Sequence, residues 1–331
     1  MTEEKNSEPP TMYKNLYERP MKQISILILA FLIFNSCKQN IRKEYKENSK
    51  KIEYEHIYTS EYQLYKPNSK PKAVLVLFGG YPEVAEDIKR EFKILKKAKE
   101  NEIAIAIVYS NYNKKLWLEE EDLKTLAKQL QTIFTNNKLP NDNLYLGGFS
   151  SGGNVALLIG DYLTENNRIA LKPKGVFIVD APIDLAALYF SAEKNIKRNF
   201  SEPSVQESTW LIESLGNGFG NPNDDLTQYE RYSVYSSKTE NINNIKNLEN
   251  TKIRMYTEPD TIWWKENRMA DYDQMNSCYI KKLSEKLEKQ GFRNVEYIPT
   301  ENKGYRANGE RHPHSWGIVD VDDLTKWMLS K

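Results

Sequence analysis

Apolar residues in this chain come in short unbroken runs, and charged stretches with helical spacing separate them. Residues 52–66, opening Ile52-Glu53-Tyr54-Glu55-His56-Ile57-Tyr58, alternate in polarity and predict an edge hairpin. Ala73-Val74-Leu75-Val76-Leu77-Phe78 has no polar member and ends in Gly79-Gly80, the pattern of a strand buried on both faces. A charged helix is predicted over about 84–101, a second buried strand over 103–109 and an amphipathic helix over 119–136. Asn143-Leu144-Tyr145-Leu146-Gly147 is strand-like, and Gly153-Asn154-Val155-Ala156-Leu157-Leu158-Ile159 is helix-like. Strands follow over 175–180, 252–256 and 295–298, with helices over 274–290 and 319–329. Alternating strands and helices imply an α/β fold: a mostly parallel sheet with helices on both faces.

The stretch from about 187 to 250 breaks the alternation. It separates two sheet strands by far more chain than a connection needs, and it carries Trp210-Leu211-Ile212 among glycines, asparagines and tyrosines. It is expected to form a cap over a site.

The 331 residues are 39% hydrophobic and carry a net charge of +1, enough for one large domain with its own core. A charge so near zero supplies no field for a polyanion, so nucleic acid is not an expected partner. The apolar run Ile24–Phe34, preceded by Lys22, has the length of the hydrophobic region of an export signal and is short for a bilayer span. It ends in Phe34-Asn35-Ser36-Cys37, which resembles a bacterial lipoprotein signal. That resemblance implies a leader over 1–37, lipid on Cys37 and a membrane-anchored protein of the bacterial cell envelope. Residues 1–20 are polar and slightly acidic, so Met21 is the alternative start. The Lys-, Glu- and Asn-rich residues 38–51 read as a tether, leaving 52–331 as the folded domain. Cys278 is the second and last cysteine, and no zinc-type Cys/His spacing occurs, so no metal site is expected.

The candidate chemistry centres on Gly148-Phe149-Ser150-Ser151-Gly152, set between a strand and a helix. That setting makes G-x-S-x-G a nucleophile elbow, a tight turn that lifts Ser150 clear of the sheet at a helix N-terminus. From here the chain resembles the α/β-hydrolase family, over about 72 to the C-terminus. The resemblance implies an oxyanion hole from backbone N–H groups of Gly80 or Tyr81, in Leu77-Phe78-Gly79-Gly80-Tyr81-Pro82, and of Ser151. Thr257-Glu258-Pro259-Asp260-Thr261 resembles the family's acid loop and implies Asp260 as the acid, with Glu258 as its rival. Only three histidines occur, and His56 precedes the serine. His312 and His314 remain, in Arg311-His312-Pro313-His314-Ser315-Trp316. His314 is the expected base and His312 the alternative. Trp263-Trp264 are expected near the site, either as a subsite or as ordinary packing.

These residues imply a serine hydrolase acting on a small acyl substrate without a cofactor, first of all a carboxylic ester. A small peptidase or amidase is the second reading, and a non-catalytic lipoprotein that keeps the fold for binding is the third.

Overall fold

The computed structural model describes residues 53–109 and 116–330. The proposed leader, Cys37 and the tether lie outside the described residues.

The strands are β1 Tyr54–Tyr58, β2 Tyr62–Pro67, β3 Ala73–Phe78, β4 Ile103–Val108, β5 Leu144–Phe149, β6 Pro173–Val179, β7 Lys252–Thr257 and β8 Val295–Pro299. They form one sheet in the order β1-β2-β4-β3-β5-β6-β7-β8. The hairpin β1–β2 joins β4 antiparallel, and every other pairing is parallel. The helices are α1 Ala85–Glu91, α2 Ile94–Glu100, α3 Glu120–Asn136, α4 Ser151–Glu165, α5 Leu185–Arg198, α6 Glu202–Phe219, α7 Leu226–Glu230, α8 Thr261–Arg268, α9 Asn276–Lys289 and α10 Val321–Leu329. This is the α/β-hydrolase fold.

Period-two alternation divides each central strand between two cores. Val74, Val76 and Phe78 of β3, Leu144 and Leu146 of β5, and Val176 and Ile178 of β6 face a core closed by α3, α4 and α9. Leu75, Leu77, Tyr145, Phe177 and Val179 face the other, closed by α1, α2 and α10. Burial on both sides is why these strands read as unbroken apolar runs.

The helix expected over 84–101 is two helices. Phe92 leaves the helical region (φ −101°, ψ 101°), and its ring stacks on Trp316 at 4.5 Å. Burying two aromatic rings outweighs helix continuity here. The insertion folds mainly as α5, α6 and α7, with its own apolar cluster of Leu185, Tyr189, Leu215, Phe219 and Tyr229. Asp184 caps α5 through the N–H of Ala187 and also accepts from the N–H of Ser237, which ties the start of the insertion to its later part. No described helix is long and apolar enough to cross a membrane.

Candidate active site

Ser150 stands between β5 and α4 with φ 52° and ψ −130°, a conformation a non-glycine residue adopts only when its surroundings impose it. Its N–H donates to the carbonyl of Val179, and its own carbonyl accepts from Gly153 N–H at 2.9 Å. The flanking glycines are steric requirements. A Cβ on Gly148 would fall on the carbonyl of Gly152, and one on Gly152 would fall on the carbonyl of Phe78. The turn is therefore closed by backbone on both sides, and Ser150 is held outward.

His314 comes from the loop after β8. Its Nδ1 lies 2.6 Å from Oδ2 of Asp180, and its ring packs against Phe149 at 4.5 Å. With Nδ1–H donating to a carboxylate, the remaining nitrogen Nε2 is the acceptor. Ser150 and His314 line the same cavity, of about 470 Å³. Asp180 ends β6 in a positive-φ conformation (45°). Thr257 Oγ1 donates to its other oxygen, Oδ1, at 2.8 Å, and Asn276 Nδ2 donates to its carbonyl. Asp180 and Thr257 are both buried, so the bond between them is made away from water.

The acid facing His314 is thus Asp180, and Asp260 is engaged elsewhere. Asp260 Oδ1 accepts from Trp263 N–H and caps α8, while Oδ2 takes Arg311 at 2.6 Å. An N-cap aspartate is drawn to the four orphan N–H groups of its own helix, and the sequence reading did not include α8. Glu258 is buried, pairs with Arg311 and accepts from Thr300 Oγ1 and from the N–H groups of Lys303 and Gly304. Both acids of the β7 loop therefore hold the histidine loop in shape and make no contact with His314. The signal for Asp180 was present: it terminates a buried apolar strand, and it lies between Ser150 and His314 in chain order.

His312 is buried. Its Nδ1–H donates to the carbonyl of His314 at 3.0 Å, and its ring packs against Trp263 at 4.8 Å. Burial, and then the electrostatic effect of neighbouring His314 and the positive charges of Arg306 and Arg268, push its pKa down to about 3. It stays neutral and braces the loop. Trp264 lines the cavity, while Trp263 packs on His312.

The expected oxyanion donors are partly occupied. Gly80 N–H donates to Glu83 Oε2 at 2.9 Å. Tyr81 N–H donates to Ser151 Oγ at 2.9 Å. The N–H of Ser151, first in α4, stands outside the helix's own hydrogen-bond ladder. A Cβ on Gly80 would come within 2.8 Å of Ser150 Cβ, so the turn after β3 approaches the serine too closely for any larger residue there. Glu83, missed in the sequence, also accepts from Trp316 Nε1 at 3.3 Å. Burial raises its pKa to about 7, against the opposing pull of these donors and of His314.

The insertion furnishes one wall. Leu188 and Asn195 of α5 and Ser208 and Leu211 of α6 line the cavity. Trp210 of α6 also lines it and stacks on Tyr81 at 5.0 Å, joining the insertion to the turn after β3. Among the described residues no group of His, Cys, Asp and Glu is arranged to hold a metal ion.

No family model and no curated protein matches this chain. Solved structures do. Carboxyl esterase 2 of the mycorrhizal fungus Tuber melanosporum is 12% identical, with 84% of this chain and 86% of that one covered and a TM-score of 0.52. An S-formylglutathione hydrolase from Staphylococcus aureus is 12% identical over 84% and 98% of the two chains, with a TM-score of 0.47. An esterase from Rhizomucor miehei is 13% identical over 83% and 82%, with a TM-score of 0.46. The first likeness, at this identity, is one of fold.

Proposed function

We propose that this chain is a serine hydrolase of carboxylic esters, with Ser150 as nucleophile, His314 as general base and Asp180 as its orienting acid. The observation that carries the reading is the 2.6 Å contact between His314 and Asp180, in a cavity shared with a serine held at a strained elbow. Asp180 fixes the imidazole so that Nε2 takes the Ser150 proton as Oγ attacks the acyl carbonyl. The N–H groups of Ser151 and Tyr81 receive the oxyanion, Tyr81 by turning from Ser151 Oγ. His314 returns the proton to the leaving alkoxide. Water, deprotonated by the same histidine, then releases the acid from the acyl-enzyme. A cavity of about 470 Å³ whose lining mixes serines with leucines and two tryptophans suits a small ester.

A fluorophosphonate probe tests this directly. Wild-type protein should be labelled on Ser150 and should hydrolyse 4-nitrophenyl esters, and Ser150→Ala should do neither. Labelling that survives in Ser150→Ala and is lost in Ser151→Ala would move the nucleophile by one residue.

We further propose that the domain is held at the bacterial cell envelope by lipid on Cys37, on the strength of the apolar run Ile24–Phe34 and the Ser36-Cys37 junction. Intact mass from a membrane fraction should show a chain beginning at Cys37 and carrying acyl groups.

A further inference from the structure

One end of the cavity is basic, and the hydrolytic chemistry makes no use of it. Four arginines sit around this end of the fold. Two are committed: Arg311 to Glu258 and Asp260, and Arg198 to Asp271, Gln274 and the carbonyl of Met269. The other two, Arg268 at the end of α8 and Arg306 in the loop after β8, line the cavity.

Neither has a close carboxylate. Arg268 Nη1 donates to the carbonyl of Asn267 at 3.2 Å, its guanidinium stands 6.0 Å from the Trp263 ring, and no ion pair of Arg268 occurs among the described residues. Arg306 has Glu310 at 4.0 Å, a solvent-exposed pair of the kind that contributes little. Both arginines line the same cavity as the buried His312. The one acid lining the cavity among the described residues is Glu207, exposed on the facing helix α6. Charge at this end is therefore unbalanced toward positive, within the cavity that holds Ser150. Arginine forks match planar and tetrahedral oxyanions through paired charge-assisted hydrogen bonds.

We propose that Arg268 and Arg306 form an anion subsite, so that the preferred substrate carries a carboxylate or phosphate group in addition to its scissile acyl bond. The part played in turnover rests on the hydrolase reading above; the capacity to bind an anion does not.

Matched ester pairs test it. Comparing 4-nitrophenyl hemiglutarate with 4-nitrophenyl valerate places the anion on the acyl side. Comparing 4-(butyryloxy)benzoate with its methyl ester places it on the leaving-group side. Wild-type protein should prefer the anionic member of at least one pair in kcat/KM. The double variant Arg268→Gln/Arg306→Gln should cut that preference by roughly tenfold to a hundredfold, the worth of hydrogen bonds to a charged group. Calorimetric titration with glutarate and with inorganic phosphate separates the two anion classes and requires no turnover: wild type should bind at least one, and the double variant should lose it. No anionic preference in either pair together with no anion binding overturns the subsite, as does a preference or binding that the double variant retains. Should the protein hydrolyse no ester and resist fluorophosphonate while still binding an anion through these arginines, the hydrolase reading fails and the subsite stands.

Discussion

Nδ1 of His314 lies 2.6 Å from Oδ2 of Asp180, although the two residues are 134 positions apart in the chain. The sheet makes the contact possible: β6 delivers Asp180 beside the elbow, and the loop after β8 folds back over β7 to bring the histidine. Asp180→Asn keeps the shape and removes the charge that stabilises the imidazolium. Steady-state kinetics should show kcat lower by roughly 10⁴-fold, as when a triad acid is neutralised without change of volume. Asp260→Asn keeps an oxygen that caps α8 and weakens only the charge contact with Arg311, so kcat should change little and stability by about 1 kcal/mol at most. A larger kcat loss in Asp260→Asn than in Asp180→Asn would return the role to the β7 loop.

Thr257 donates to the second oxygen of Asp180 and is itself fully buried. Thr257→Val is nearly isosteric and leaves that oxygen short of a partner in a dry setting. The cost of an unmade buried bond to a charged group, about 1.5–3 kcal/mol, translates into a kcat loss of about tenfold or more if it falls on orientation of the acid. KM should move little, because Thr257 does not line the cavity. Thr257→Ser should recover most of the activity. Equal losses in the valine and serine variants would assign Thr257 to packing.

His312 shares the loop with His314 but faces no carboxylate, and its proton goes to the His314 carbonyl. His312→Ala should therefore cost far less in kcat than His314→Ala, for which a loss of roughly 10⁴-fold is expected. The fold should weaken by about 2 kcal/mol or more, as buried truncations do. Because its pKa falls from 6.5 to about 3, the unfolded chain binds this proton first as the solution is acidified. Its contribution is complete above pH 6.5 and is lost progressively down to about pH 3. Denaturant titrations should show a shallower acid slope in His312→Ala than in the wild type.

The sheet, its edge hairpin and the order of helices were legible because burial on two faces writes unbroken apolar runs, and because a strand–glycine–serine–helix junction admits few geometries. The histidine loop was legible because the chain has so few histidines. The acid was not. Asp180 and Asp260 both follow strands at the same end of the sheet, and chain order admits both. What separates them is that Asp260 opens a short helix and meets Arg311, facts of tertiary packing with no periodic signature. The occupied N–H of Gly80 was hidden for the same reason. It depends on where Glu83 turns its carboxyl, three residues on, and on an indole more than two hundred residues away.

Glu83 joins Gly80 to Trp316 behind the turn after β3, and it responds to pH in the direction opposite to His312. Its pKa rises from 4.5 to about 7, chiefly through burial. The native state thus holds this proton at pH values where the unfolded chain has released it. Stability from this group is complete below pH 4.5, falls as the pH rises toward about 7, and is flat beyond. Glu83→Gln abolishes the titration while keeping an oxygen that can accept from Gly80 N–H. The melting temperature of Glu83→Gln relative to wild type should therefore climb between pH 4.5 and 7 and then level off. The same variant should keep the elbow competent for fluorophosphonate labelling across that range, since the loop contact survives. A constant difference in melting temperature from pH 4 to 8 would show that the carboxyl ionises as it does in water, and that its hydrogen bonds to Gly80 and Trp316 fully offset its burial.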